Sequence, residues 1–286
     1  MAETLTVLDV VQRSADFLEK KGVESSRLNA EWLIAHAIGL DRMALYMQFD
    51  RPLSEEELSS MRKSVARRGQ REPLQYIIGQ AQFHDLLLKT DSRALIPRPE
   101  TEQLVEKVME SQSGIDKEFS ILDLGTGSGA IAISLAVHFP RAAITATDKD
   151  GDTLELAKEN ALLCGMQNRI EFVRSDWFSD LDKKLDFDVI ASNPPYLTAQ
   201  ELDEAEIEVK EHEPRSALMA GDDGLSDLRQ IIEGAIHYLV PEGDLWLETG
   251  IDQRGRLLML CEEFGYSQYE GLDDWSGRNR FIHAKK

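Results

Sequence analysis

The sequence is short of cysteine, of long apolar runs and of positive charge. Two cysteines occur in 286 residues. Cys164 and Cys261 have no metal-ligand spacing and suggest no disulfide framework, which fits a reduced, cytoplasmic chain. No apolar run reaches the ~18 residues that a membrane span needs. Residues 1–21 mix Glu3, Asp9, Asp16 and Glu19 with Arg13, Lys20 and Lys21, the pattern of neither a signal nor a transit peptide. Lys and Arg number 32 against 52 Asp and Glu, a net charge of −20. A chain that grips nucleic acid by neutralising phosphates carries the opposite surplus, so no DNA partner and no membrane partner are expected. His36, His84, His138, His212, His237 and His283 are scattered. With no H-E-x-x-H, no cysteine cluster and no G-x-S-x-G elbow, no metal site and no hydrolase nucleophile are expected.

What remains is an ordinary globular composition, 42% hydrophobic and 29% charged, long enough for about two domains. The charge is uneven. Residues 1–80 hold 11 basic and 12 acidic side chains, residues 81–286 hold 21 and 40, so a boundary is expected near residue 80. The first segment reads as three or four short helices. Leu8, Val11, Phe17 and Leu18 lie at roughly helical spacing before Gly22. Ser26 can cap a second helix through Trp32, Leu33, Ala37 and Ile38. Ser54-Glu55-Glu56-Glu57 is a capping-box pattern opening a third. That third helix carries a basic run, Arg62, Lys63, Arg67, Arg68 and then Arg71. It reads either as a solvated face or as a docking surface for an acidic partner or RNA. Tyr76-Ile77-Ile78-Gly79 and Phe83 to Leu88 read as extended structure. Ile96-Pro97-Arg98-Pro99-Glu100-Thr101-Glu102 holds the backbone extended before a helix resumes.

From residue 119 strands alternate with helices. Strands are expected at 119–124, 143–147, 170–173, 187–191 and 244–248, then a closing pair at 266–270 and 280–284. The class is α/β, a mostly parallel doubly wound sheet with an antiparallel C-terminal hairpin. Asp123-Leu124-Gly125-Thr126-Gly127-Ser128-Gly129 lies between the first strand and its helix, where glycines let a ligand approach the backbone. Its G-x-G-x-G spacing is not the dinucleotide fingerprint. Asp148 ends the second strand, where a carboxylate can accept both hydroxyls of an adenosine ribose. Ser175-Asp176-Trp177-Phe178 follows the third. Asp176 can accept from an adenine amino group and Trp177 can cover its ring. These three strand ends resemble the nucleoside-binding edge of S-adenosylmethionine-dependent methyltransferases with a Rossmann-like sheet.

Asn193-Pro194-Pro195-Tyr196 follows the fourth strand. The prolines remove two N–H donors, which leaves the Asn193 side-chain oxygen and the Pro194 carbonyl as acceptors, with Tyr196 as an aromatic wall. A planar –NH2 group is a poor nucleophile because its lone pair is delocalised. Two acceptors can hold its hydrogens and favour positive charge on nitrogen in the transition state.

With these motifs in order, together with Ile96-Pro97-Arg98-Pro99-Glu100-Thr101, Glu213-Pro214 and Asp274-Trp275-Ser276-Gly277-Arg278-Asn279-Arg280-Phe281, the chain resembles the release factor glutamine methyltransferases (HemK/PrmC-type). The match departs from the family pattern near Asp85 and Leu88. The resemblance implies methyl transfer from S-adenosylmethionine, leaving S-adenosylhomocysteine, to the side-chain amide nitrogen of the glutamine in the Gly-Gly-Gln motif of class 1 peptide chain release factors. It implies a helical substrate-docking domain over 1–75, a hairpin or linker over 76–100 and a methyltransferase domain over 101–286, working as a monomer. Cofactor-binding residues would be Gly125, Thr126, Gly127, Ser128, Gly129, Asp148, Asp176, Trp177 and Asn193. Asn193, Pro194 and Tyr196 would be catalytic, and with Pro195 they would hold the substrate. Two other readings stand beside it: a nucleic-acid adenine-N6 methyltransferase, which shares the N-P-P-Y motif, and a non-catalytic protein that senses the cofactor.

Overall fold

The computed structural model describes residues 5–112 and 118–286. The chain forms two compact units. One runs to Gly79 and takes in Glu206–His212 from far along the chain; the other comprises Gln80–Ala205 and Glu213–Lys286.

The first unit is helical, with helices at Val7–Lys20, Ser26–Ala37, Arg42–Tyr46, Glu55–Gly69, Leu74–Ile78 and Ile207–His212. The capping box at Ser54 forms as expected: the Glu57 amide donates to the Ser54 hydroxyl at 3.2 Å, and the Ser54 amide to the Glu57 carboxylate at 2.8 Å. Thr6 and Asp9 make a second box that opens the first helix. Other local expectations are corrected. The second helix is preceded by Ser25 in a left-handed conformation, and no side chain caps it. Val7, Val10, Val11, Ala15 and Leu18 form the buried stripe, while Leu8 and Trp32 are 43% and 40% exposed. One step along a helix turns a side chain by about 100°, so the buried arc takes in Val10 and Val11 but leaves Leu8, next to Val7, outside it. Tyr76 to Ile78 are not extended but close the helix Leu74–Ile78, which starts after Pro73 and stops at Gly79 with φ +79°. A short apolar run does not separate strand from helix.

The basic run divides: Arg62, Lys63 and Arg67 are exposed, while Arg68 and Arg71 turn inward. Arg68 is buried and donates to Asn29 Oδ1 and to Glu208. Arg71 makes a two-pronged pair with the same carboxylate at 2.7 and 2.5 Å. Arg67 pairs with Glu72 and Arg62 with Glu55. Glu208 is thus the clasp that seats 206–212 in the helical unit. Burial works to raise its pKa, but hydrogen bonds from Arg71 and Arg68 outweigh it and hold the carboxyl at about 2. A depressed carboxyl stabilises the fold above its unfolded pKa of 4.5 and loses that contribution as pH falls toward 2. Glu208→Ala should therefore lower unfolding free energy by about 3 kcal/mol at pH 7, because it leaves two guanidiniums unpaired. Urea denaturation should show that deficit shrinking below pH ~4.5; an equal deficit at every pH would show that the charge pair is not its source.

The second unit is built on a seven-stranded sheet. After the hairpin β1 (Gln80–Phe83) and β2 (Leu86–Lys89) come β3 (Ser120–Leu124), β4 (Ala143–Asp148), β5 (Ile170–Arg174), β6 (Phe187–Ser192), β7 (Leu239–Glu248), β8 (Gln268–Asp273) and β9 (Asn279–Lys285). The order across the large sheet is β5-β4-β3-β6-β7-β9-β8. The pairs from β5 to β7 are parallel and the last two are antiparallel, as expected for this class. Alternating side chains of β3 enter opposite cores: Ile121 one, Leu122 and Leu124 the other. Helices Pro99–Ser111 and Ala130–His138 contribute to the first core. Ser226–Tyr238 and Arg254–Glu263, the latter unanticipated, contribute to the second. The chain leaves β3 toward β4 and β5 on one side and later returns to β6 and β7 on the other. A crevice therefore opens at the carboxyl ends of β3 and β6. Among the described residues no helix is long and apolar enough to cross a membrane.

Candidate active site

That crevice holds a cavity of about 550 Å³, a size typical of small-molecule sites, lined wholly by the second unit. Gly125, Gly127 and Gly129 all take positive φ, at +70°, +58° and +85°. Two of them are needed for different reasons. A Cβ on Gly125 would come within 3.2 Å of the Trp177 ring, whereas one on Gly127 would meet nothing and project into open space. The first glycine admits a ring and the second leaves room for a ligand.

Asp148 meets this loop from β4. Its Oδ2 accepts from the Gly127 amide at 3.1 Å and its Oδ1 from the Asp150 amide at 3.0 Å. Each oxygen keeps a lone pair for a further donor. Burial pushes its pKa up, against those two hydrogen bonds. Ser175, Asp176 and Trp177 line the same end. Trp177 is buried with φ +51°, and its indole N–H donates to Asp227 at 3.1 Å. Thr126 and Ser128 complete the loop wall.

The loop after β6 divides. Asn193 and Pro195 line the cavity; Pro194 and Tyr196 do not. Tyr196, expected as an aromatic wall, instead sends its hydroxyl to Glu248 Oε1 at 3.2 Å, and Arg280 lies over its ring with Cζ 5.9 Å from the centroid. A buried phenol needs a hydrogen-bond partner, and this one finds it at the end of β7. The Asn193 amide nitrogen donates to the Thr101 hydroxyl at 2.9 Å.

Sequence comparison bears on the same residues. Residues 9–79 match the model of the PrmC N-terminal domain and residues 100–211 that of the methyltransferase small domain. A release factor glutamine methyltransferase of Geobacter sulfurreducens is 39% identical, covering 99% of this chain and 98% of that one. Its counterpart in Rhodopirellula baltica is 37% identical, with both chains covered fully. The chain belongs to the release factor glutamine methyltransferase family. Its fold recurs more widely. The hMettl16 catalytic domain covers 77% of the chain with a TM-score of 0.56, and a methyltransferase from Pyrococcus furiosus covers 71% with 0.52, at 17% and 18% identity.

The cavity of this family member fits the expected S-adenosylmethionine. The open face of Gly127 admits a ligand against the backbone, the Asp148 carboxylate can take two hydroxyls, and carboxylates at 148, 150 and 176 suit a cationic sulfonium. Sequence reasoning passed over four side chains that shape the site: Thr101, Asp123, Glu248 and Arg280. Thr101, Asp123 and Arg280 lie inside motifs already noticed, though no role was given to their side chains. Glu248 ends a strand of the parallel sheet, the position where ligands gather.

Asp123 is fully buried beneath the glycine loop. Its Oδ2 accepts from the Thr126 hydroxyl at 2.5 Å and the Ala132 amide at 3.1 Å, and Oδ1 has no hydrogen bond. Burial pushes its pKa from 3.8 to about 7 despite those bonds. A carboxyl raised in the folded state binds more protons there than when unfolded, so this contribution to stability falls as pH rises from about 4 through 7. Asp123→Asn, which cannot ionise, should gain on the wild type by roughly 2–3 kcal/mol between pH 5 and pH 8. Denaturation at the two pH values gives the difference; a constant offset would mean the carboxyl does not titrate there.

Proposed function

We propose that the protein transfers a methyl group from S-adenosylmethionine to the side-chain amide nitrogen of the glutamine in the Gly-Gly-Gln motif of class 1 peptide chain release factors. The observation that carries this reading is the Asn193 side chain. It lines the cavity, its nitrogen is engaged by Thr101, and its oxygen remains as an acceptor. Such an oxygen suits a conjugated –NH2 group, and relatives spanning the whole chain bear the glutamine methyltransferase name. Those full-length relatives give the adenine-N6 reading no support.

When bound, S-adenosylmethionine supplies an electrophilic methyl on sulfur. The protein's part is placement and charge. Asp148 would hold the ribose hydroxyls, Asp176 and Trp177 the adenine, and Gly125 to Gly129 the backbone edge of the cofactor. Asn193 Oδ1 would accept one amide hydrogen of the glutamine; the other is assigned to the Pro194 backbone carbonyl, although that residue does not line the cavity. The two acceptors would hold the amide plane and stabilise positive charge on nitrogen as the N–C bond forms and the S–C bond breaks, leaving S-adenosylhomocysteine; the methylated nitrogen then loses one proton to solvent. Pro195 closes the wall, and Tyr196 supports the loop from behind through Glu248. The helical unit, residues 1–75, docks the protein substrate. The net charge of −20 and two free cysteines fit a cytoplasmic protein acting on protein rather than DNA, as a monomer.

Incubation with labelled methyl donor, a class 1 release factor and DNA tests the reading, with label expected on the glutamine of the factor alone. Label on DNA, or on neither, would overturn it. Asn193→Ala should lower kcat by ~10²–10³, with cofactor affinity changed far less. Asp148→Ala should do the converse and weaken cofactor binding in calorimetry by ~10-fold or more, since hydrogen bonds to charged groups contribute ~1.5–3 kcal/mol. Unchanged affinity would remove Asp148 from the ribose.

A further inference from the structure

Glu248 is 1% exposed and ends β7 behind the Asn193 loop. Its two oxygens are divided: Oε2 accepts from the Thr101 hydroxyl at 2.7 Å and Oε1 from the Tyr196 hydroxyl at 3.2 Å. Burial raises the Glu248 pKa to about 7, opposed by Thr101, Arg280 and Tyr196 and reinforced by Glu100. Thr101 stands in the first turn of the helix Pro99–Ser111 and is itself buried.

A threonine hydroxyl has one hydrogen and can donate once. With Glu248 ionised, Thr101 donates that hydrogen to the carboxylate, so toward Asn193 it can only accept. Asn193 must then present its –NH2 edge, as it does at 2.9 Å. The flipped amide would set its own oxygen against the threonine oxygen, two acceptors with no hydrogen between them. An asparagine amide is near-symmetric in shape, and only its hydrogen-bond partners decide which edge faces which way.

We propose that Thr101, ordered by Glu248, is the positioning residue that sets the polarity of the Asn193 amide and so keeps its oxygen, not its nitrogen, toward the substrate. This rests on the reading of Asn193 given above. It also assigns a task to the threonine of the I-P-R-P-E-T segment: the relay runs from carboxylate to hydroxyl to amide nitrogen, and the amide oxygen on the other side meets the substrate. A single substituted hydroxyl would release Asn193 to present a donor to an –NH2 group, which is itself a donor.

Thr101→Val removes the hydroxyl and keeps the shape. On a saturating release factor it should lower kcat at least 10-fold, with KM for the factor and cofactor affinity held within about two-fold. Thr101→Ser, which restores the hydroxyl, should recover most of the lost rate. Because Thr101 acts through Asn193, the double variant with Asn193→Ala should be no slower than Asn193→Ala alone. A Thr101→Val enzyme with wild-type kcat, no recovery in Thr101→Ser, or additive losses in the double variant would each overturn the relay. Solvent exchange of the Asn193 side-chain amide protons, assigned by NMR against Asn193→Ala, reads the same contact without turnover. Protection should be lost in Thr101→Val and kept in Thr101→Ser. If the wild type methylates no glutamine yet this protection pattern holds, the proposed function has failed and the orientation stands; equal exchange in all three proteins sinks the orientation itself.

Discussion

A reversal in strand order is the constraint on which the site depends. Because β3 lies between β4 and β6, the connections leaving its end and the end of β6 run to opposite sides of the sheet, and a cavity opens between them. The glycine loop enters that space from β3, Asp148 from β4, Trp177 from β5 and Asn193 from β6. Four segments spread over about 70 residues meet because parallel strands end on one edge.

Around that crevice the structure spends stability on buried carboxylates. Asp123 and Glu248 lie fully buried beside the loops that must not move, and burial pushes both pKa values up to about 7. Each ties a loop to the sheet through a hydroxyl: Asp123 through Thr126, Glu248 through Thr101 and Tyr196. A buried acid is costly, but its directional hydrogen bonds hold a loop more closely than apolar packing does. The helical unit uses charge in another way, with Arg68 and Arg71 converging on Glu208 to hold a segment more than 130 residues distant in sequence.

Much of the site was legible in the sequence because its chemistry is carried by short contiguous motifs. Glycines at 125, 127 and 129 meet a backbone requirement that few other residues satisfy, and each does take positive φ. The parallel sheet was legible from alternating apolar runs of the right lengths. Less legible were the short helices: 76–78 read as extended, and 254–263 was not anticipated, since an apolar run or a mixed one is compatible with either state. The exposure of Leu8 and Trp32 was also hidden, because a helix can present its hydrophobic residues over a wide arc and only its neighbours choose which are buried.

The sequence by itself determined the α/β class, the strand ends that gather the cavity-lining residues and the chemistry those residue types can offer. Only the tertiary structure decided which way side chains point and with whom they pair. Pro194 and Tyr196 sit in the same four-residue motif as Asn193 and Pro195, yet neither lines the cavity: Pro194 is buried and Tyr196 sends its hydroxyl to Glu248. The basic run from Arg62 to Arg71 reads as a surface, yet Arg68 is buried against a carboxylate 140 residues later. The reason is the range of the interactions. Backbone conformation and hydrophobic period are set by near neighbours, whereas a hydrogen bond from Thr101 to Glu248 joins positions 147 residues apart and exists only once the sheet has brought them together.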